Sequence, residues 1–327
     1  MTTLSARDTI LKLFRKTKGC FLSSAQISSE LGVSRNAVWK QIENLRELGY
    51  QIKAVPSQGY QLVSSPDTLL PEEIQIDLET KCIGREIRYF PETDSTNLQA
   101  TKLGESGAME GLVVIADQQS QGKGRLGRKW ISPPNVNLYA SILLRPRILP
   151  SEAPQLTFLS AVGICRAIEQ LAGLNPKVKW PNDITLHEKK VAGLLNEMNS
   201  ETDQVNFVVL GMGVNLNMSV GQFPKELAYP ATSLAIELGH PVSRIAFTRA
   251  LLHHIDLLYS DYLLDGISTV RKAWTERCDW VGRRVEVNCH TQIITGVVQG
   301  LGNDGALLVA TECGIIEEVL AGDVQLV

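Results

Sequence analysis

The apolar residues of this chain change their spacing along its length, and that rules out a single repeated architecture. Helical spacing dominates to about residue 48, strand-like runs mixed with helices fill the middle, and short β-rich runs broken by glycine end the chain. At about 100–200 residues per domain, 327 residues predict two or three domains. Hydrophobic residues make up 44% of the chain, enough for packed cores.

In the first part, Ala6, Ile10, Leu13 and Phe14 share a helical face within residues 4–16. Ser23 and Ser24 offer an N-cap for a second helix through Ile27 and Leu31, which Gly32 ends. Ser34 caps a third, with Val38, Ile42, Leu45 and Leu48 on one face. Two helices joined by a tight glycine-containing turn have helix-turn-helix spacing. Extended stretches Gln51–Val55 and Tyr60–Val63, separated by a turn at 56–59, complete a winged-helix order. Trp39 is assigned to the core. Residues 1–64 carry nine basic and four acidic residues, a net of +5, in a chain whose total is −3. The remainder is therefore at −8, and a basic head on an acidic body suits a polyanionic partner. The candidate DNA contacts are Ser34, Arg35, Asn36, Lys40 and Gln41, because a recognition helix reads base edges from its first turns. The alternative is a three-helix protein-interaction module.

A polar connection with Ser64, Ser65, Pro66, Asp67 and Pro71 follows, and a helical pattern resumes over 72–80. Strands are expected at Ile87–Phe90, Leu112–Asp117, Leu138–Leu144, Ile184–Leu186, Val191–Glu197 and Phe207–Val214. Helices are expected at Ser95–Leu103, Gln155–Leu171 and Ser243–Leu264. Strands that follow one another directly favour an α+β fold with a mixed, partly antiparallel sheet. From about Trp280, the runs Arg284–Asn288, Gln292–Val298, Ala306–Ala310 and Ile315–Ala321 predict a small β-barrel. The expected division is 1–65, a winged helix-turn-helix; 66–80, a linker; 81–276, a central body; and 277–327, the small barrel.

Six cysteines lie far apart, without the close spacing of a zinc or redox motif, and read as free thiols in a reducing compartment. There is no apolar stretch behind a basic start and no run of about 18 apolar residues. A cytoplasmic protein without membrane attachment is expected.

Four segments carry chemistry. In the run from Gln119 to Trp130, glycines alternate with Lys123, Arg125, Arg128 and Lys129. Glycine lets a backbone approach a ligand, and the cations neutralise phosphate. The run lacks the ending of a Walker A loop, so a small anionic ligand, nucleic acid or a flexible solvated loop all stay open. Lys179-Trp180-Pro181-Asn182-Asp183, with Lys190 before a hydrophobic run, places cations and a carboxylate at strand ends. Thr93-Asp94-Ser95-Thr96-Asn97 is either a helix cap or a donor-acceptor cluster. Gly211 to Asn217 ends an apolar strand with two glycines and an amide, where a backbone can pass close to a ligand.

In this order and behind this head, the four segments resemble the biotin–protein ligase family, in its bifunctional form that is also the biotin operon repressor. The resemblance covers nearly the whole chain and implies a biotin/lipoate ligase-like central sheet, a catalytic domain at 81–276 and an SH3-like form for the C-terminal barrel. It implies that biotin and ATP, with Mg²⁺, give biotinyl-5′-AMP and pyrophosphate. The biotinyl group then passes to one lysine of a biotin carboxyl carrier protein, an acetyl-CoA carboxylase subunit. Lys190, Arg125, Lys179 and Asp183 match the catalytic positions. Ser95, Thr96, Asn97, Gln119, Lys123, Gly124, Arg125, Trp130, Lys190 and Asn215 match positions around biotin and its adenylate. No protein-held metal site is implied. Operator DNA and a ligand-promoted homodimer are the further expected partners. One departure stands out: Lys123 replaces an arginine common in the family loop, keeping the charge without the fork. A lipoate or octanoate transferase is the rival within the same fold group, and the winged head and the Gly/Arg loop argue against it.

Overall fold

The protein is described from a computed structural model, which covers residues 6–17, 19–227, 229–289 and 292–327. It divides into two compact units, one ending at Ile76 and the other running from Asp77 to Val327.

The first unit begins with α1 (Ala6–Lys16), α2 (Ser24–Leu31) and α3 (Arg35–Glu47). Residues 4 and 5 of the expected first helix lie outside the described residues. Ser23 caps α2 through a reciprocal bond with Gln26, and Gly32 closes it in the left-handed conformation. Ser34 caps α3, its hydroxyl accepting from the Ala37 N–H at 3.3 Å. The antiparallel hairpin of β1 (Gln51–Val55) and β2 (Gly59–Ser64) forms the wing. Val38, Ile42 and Leu45 are the buried face of α3. Trp39 is not in the core: it is 54% exposed. It follows Val38 by one residue, and one step along a helix turns the side chain by about 100° away from the apolar stripe.

The helical pattern expected over 72–80 is realised only as α4 (Pro71–Gln75). The chain is extended at Ile76 and left-handed at Asp77, which stops the helix. Leu69, Leu70 and Ile74 are buried in this stretch. Glu73 is also buried, and it accepts from Arg15 and, at 2.6 Å, from the Tyr50 hydroxyl.

In the second unit, β3 (Ile87–Phe90), α5 (Thr96–Glu105), β4 (Val113–Ala116) and β5 (Leu138–Leu144) lead into α6 (Gln155–Ala172). The antiparallel run β6 (Lys177–Lys179), β7 (Asp183–Leu186), β8 (Lys189–Ser200) and β9 (Val205–Val214) follows. The seven strands form one sheet in the order β3-β4-β5-β9-β8-β7-β6, parallel only between β3 and β4. This is the mixed, largely antiparallel sheet that the strand spacing predicts. Ala100 of α5 packs with Leu112, Val114, Leu143, Phe207 and Val209 of the sheet, where wholly apolar runs fill strands buried on both faces.

Next come α7 (Leu234–Leu238), α8 (Arg244–Asp265) and α9 (Ser268–Thr275), with α6 packed against both α8 and α9. The buried Asp256 of α8 accepts from the N–H groups of Lys81, Cys82 and Ile83, which ties the entry of the chain to this helix. The C-terminal part is a five-stranded antiparallel sheet of β10 (Arg284–Asn288), β11 (Ile293–Leu301), β12 (Leu307–Ala310), β13 (Ile316–Val319) and β14 (Asp323–Leu326). Its order is β13-β12-β11-β10-β14. The sequence reading missed β6, α7, α9 and β14. β6, α7 and β14 are three to five residues long, too short for a period to be seen, whereas α9 has eight residues and a buried face of Val270, Ala273 and Trp274. Among the described residues, no helix is long and apolar enough to cross a membrane, and all six cysteines are free thiols.

Candidate active site

A cavity of about 1360 Å³ opens over the β9-β8-β7-β6 half of the large sheet. Ser95, Thr96, Asn97, Gln119, Lys123, Gly124, Arg125, Trp130, Lys179, Asp183, Lys190 and Asn215 all line it. Residues spread over 121 positions of sequence are therefore brought to one place (95 to 215). The volume exceeds the roughly 300–1,000 Å³ of an ordinary ligand pocket, because the cleft extends to the C-terminal sheet at 323–326.

One wall is a polar network at the start of α5. The Thr96 N–H donates to Gln119 Oε1 at 2.9 Å, and Gln119 Nε2 donates to Ser132 Oγ at 3.0 Å. The buried Ser141 hydroxyl lies 2.8 Å from Thr96 Oγ1 and donates to Asn97 Oδ1 at 2.6 Å. Asn97 Nδ2 in turn donates to Glu197 at 2.6 Å. Each side chain is held before a ligand arrives. Burial alone would raise the Asp94 carboxyl, but bonds from Gln99, the Ser95 N–H and Thr93, with Lys102 nearby, hold it down to about 2.

The glycines of β9 serve the wall itself. A Cβ at Gly211 would fall 2.1 Å from Asn97 Oδ1, and one at Gly213 would fall 2.4 Å from the Trp130 indole. What passes close to this backbone is thus two protein side chains. Trp130 lies across Gly213 and its cross-strand partner Gly193, so the paired glycines make a flat bed for the ring. The indole N–H groups of Trp130 and Trp180, both in the cavity wall, are buried without a protein acceptor.

The loop from Gly122 to Trp130 folds back on itself. The Trp130 N–H donates to the Gly122 carbonyl at 2.9 Å, and the Gly124 N–H to that of Arg128 at 2.7 Å. Leu126 and Gly127 are both left-handed at the tip. Burial lowers the Arg125 pKa, and Asp323 and Asp183 oppose that shift. Arg128 pairs with Asp323 of β14 at 2.6 Å, so the loop is tied to the C-terminal sheet.

A β-bulge aims Lys190. Asp183 pairs with Gly193 and Ile184 with Ala192, but Thr185 pairs with Lys190, which leaves Val191 as an extra residue. The insertion moves Lys190 onto the face shared by Asp183 and Gly193, where strict alternation would have placed it opposite. Its ammonium lies 2.5 Å from Asp183 Oδ1 and 5.5 Å from the centre of the Trp130 ring. The Lys190 N–H donates to the Pro230 carbonyl and its carbonyl accepts from the Thr232 N–H, so the 230–232 segment clamps the strand start. Asn215 is buried and donates to the Thr232 carbonyl at 3.1 Å, so it braces the same segment. The sequence reading missed Tyr229, Trp280 and Asp323 in this cavity wall. No local motif marks them, because each is brought in by a remote segment.

In the head, Ser34, Arg35, Asn36 and Lys40 are exposed at the start of α3, and Gln41 is half-buried. The Ser34 hydroxyl is engaged as the helix cap.

Three family descriptions match the sequence. These are an HTH domain over residues 7–61, the Biotin/lipoate A/B protein ligase family over 89–215, and a Biotin protein ligase C terminal domain over 281–327. The bifunctional ligase/repressor BirA of Bacillus subtilis is 36% identical over 320 residues, which cover 98% of each chain. The bifunctional ligase/repressor BirA of Escherichia coli is 29% identical over 94% of each. The biotin protein ligase of Aquifex aeolicus, solved with biotin and ATP, superposes with a TM-score of 0.64 at 28% identity. That match covers 74% of this chain and all of the other.

Proposed function

The chain belongs to the family of bifunctional biotin protein ligase/repressors, and on that premise we propose how its cavity works. The activity is that of a biotin–[acetyl-CoA-carboxylase] ligase, and the helix-turn-helix head makes the same chain a repressor of the biotin operon. The observation that carries the residue assignment is the convergence of all twelve expected site residues on one cavity. Biotin sits against Ser95, Thr96, Asn97 and Gln119; Ser141 holds Thr96 and Asn97, and Thr96 in turn bonds Gln119. The biotin carboxylate oxygen attacks the α-phosphorus of ATP, and the bond to pyrophosphate breaks. Two anions meet in that step, so fixed cations lower its barrier. Lys190, Lys179 and Arg125 supply them, Asp183 holds Lys190 in place, and Lys123 and Gly124 close over the acyl phosphate. Trp130 and Asn215 brace the site. An amine of the carrier protein then attacks the acyl carbon and AMP leaves, so no nucleophile is needed from this chain.

Mg²⁺ supplies charge neutralisation on the leaving pyrophosphate when bound. No group of three His, Cys, Asp or Glu side chains among the described residues is placed to hold a metal. The working division is a head at 1–65, a connection at 66–80, a ligase body at 81–276 and a C-terminal domain at 277–327. Arg35, Asn36, Lys40 and Gln41 meet the operator, with Ser34 setting the start of their helix. Biotinyl-AMP, by ordering the Gly122–Trp130 loop, favours a homodimer whose two heads take two half-sites. The site of action is the cytoplasm.

Incubation with ATP, biotin and a carrier domain will add one biotinyl mass to the carrier, and lipoate in place of biotin will add nothing. A lipoyl adduct without a biotinyl one would overturn the assignment. In the head, Arg35→Ala will weaken operator binding while ligation continues at the wild-type rate. Operator binding indifferent to biotinyl-AMP would remove the proposed coupling.

A further inference from the structure

We infer that Trp280, at the head of the C-terminal domain, and Tyr229 are positioning residues that keep the Lys179 ammonium free for an incoming nucleotide phosphate. The inference rests on the ligase reading above and concerns a device that reading does not use. Lys179 Nζ lies 3.7 Å from the centre of the Tyr229 ring and 5.2 Å from that of Trp280. Among the described residues, no carboxylate is within ion-pair distance of it. Lys190, another lysine lining the cavity, is paired with Asp183. The two cations therefore differ. One is compensated by a carboxylate, and the other is held by aromatic faces, which attract an ammonium without neutralising it. An ammonium held this way keeps its charge and its donors for a phosphate oxygen. Burial lowers the Lys179 pKa, and Asp183, its cross-strand partner, is the acid that most opposes that shift, so without the rings Asp183 is the group that draws the ammonium.

The placement of Trp280 is built, residue by residue, along the outer edge of β6. Lys177 pairs with Asp279 at 2.9 Å, the Val178 N–H donates to the Arg277 carbonyl at 3.1 Å, and Lys179 meets Trp280. Lys177 and Lys179 share a face because strand side chains alternate, and Val178 is buried on the other. The turn at 277–280 is itself anchored by the bidentate pair of Arg277 with Glu169 of α6, at 2.8 and 2.9 Å. The edge strand is thus covered by a segment that delivers one ring to one ammonium.

The test uses the full chain and reads KM for ATP and for biotin separately, by pyrophosphate release. Trp280→Ala is expected to raise KM for ATP about 2- to 30-fold, the range of a cation–π contact, with KM for biotin unchanged. Trp280→Phe should restore most of the loss. Trp280→Leu covers the case in which the alanine variant does not fold. An unchanged KM for ATP in both the alanine and leucine variants would overturn the inference, as would equal rises for the two substrates or a phenylalanine variant no better than leucine. A wild-type chain that makes no adenylate from biotin would instead overturn the ligase reading.

Discussion

Replacing Lys190 with alanine will slow adenylate formation by about 10²- to 10³-fold, the usual cost of removing one fixed donor from a developing anion. The substitution does more than delete a charge. Asp183 lies 2.5 Å from the Lys190 ammonium, and without it this carboxylate faces the cavity alone. The phosphates would then meet an uncompensated anion where they had met an ion pair. Lys179 and Arg125 remain, so biotin binding should change less than the chemical step. Single-turnover pyrophosphate release checks this, and a wild-type rate would remove Lys190 from the reaction. Lys190→Arg should recover little, because a longer planar fork does not fit the position of a compact ammonium between Asp183 and the Trp130 ring.

The second large effect is on stability. Arg244, the first residue of α8, is 1% exposed and pairs with Asp117 at 2.8 Å. Asp117 also accepts from the Tyr89 hydroxyl at 2.5 Å, so three elements meet on one carboxylate. Arg244→Ala will leave a buried charge uncompensated and destabilise the second unit by about 3–5 kcal/mol. At roughly 2–4 °C per kcal/mol for a unit of this size, the melting temperature will fall by about 6–20 °C. The paired replacement Asp117→Asn with Arg244→Met removes both charges and should recover much of the loss. A single variant that melts within a degree or two of wild type would show that the pair contributes little beyond its own desolvation.

Much of the local structure was legible in the sequence, because its signals are local. Ser23, Ser34 and Gly32 act as the caps and stop that their residue types predict. The strand runs at 87–90, 138–144 and 284–288 are found with the expected bounds, since unbroken apolar runs and alternating runs are both short-range patterns. Trp39 was misplaced because residue type alone favours burial, whereas the face of α3 that packs is set by Val38, Ile42 and Leu45. The glycines of β9 suggest a backbone passing close to a ligand, and the groups found against them are the Asn97 and Trp130 side chains.

The order and kind of elements, the basic head, and the cations and amides gathered around a future anion are properties of the chain as written, since they depend on residues within a few positions of one another. The tertiary structure alone decided which way those groups face. A single inserted residue at Val191 turns Lys190 toward Asp183, and a turn nearly a hundred residues beyond β6 carries Trp280 to Lys179. Register and edge-on packing arise from contacts distant in sequence, and no local period records them.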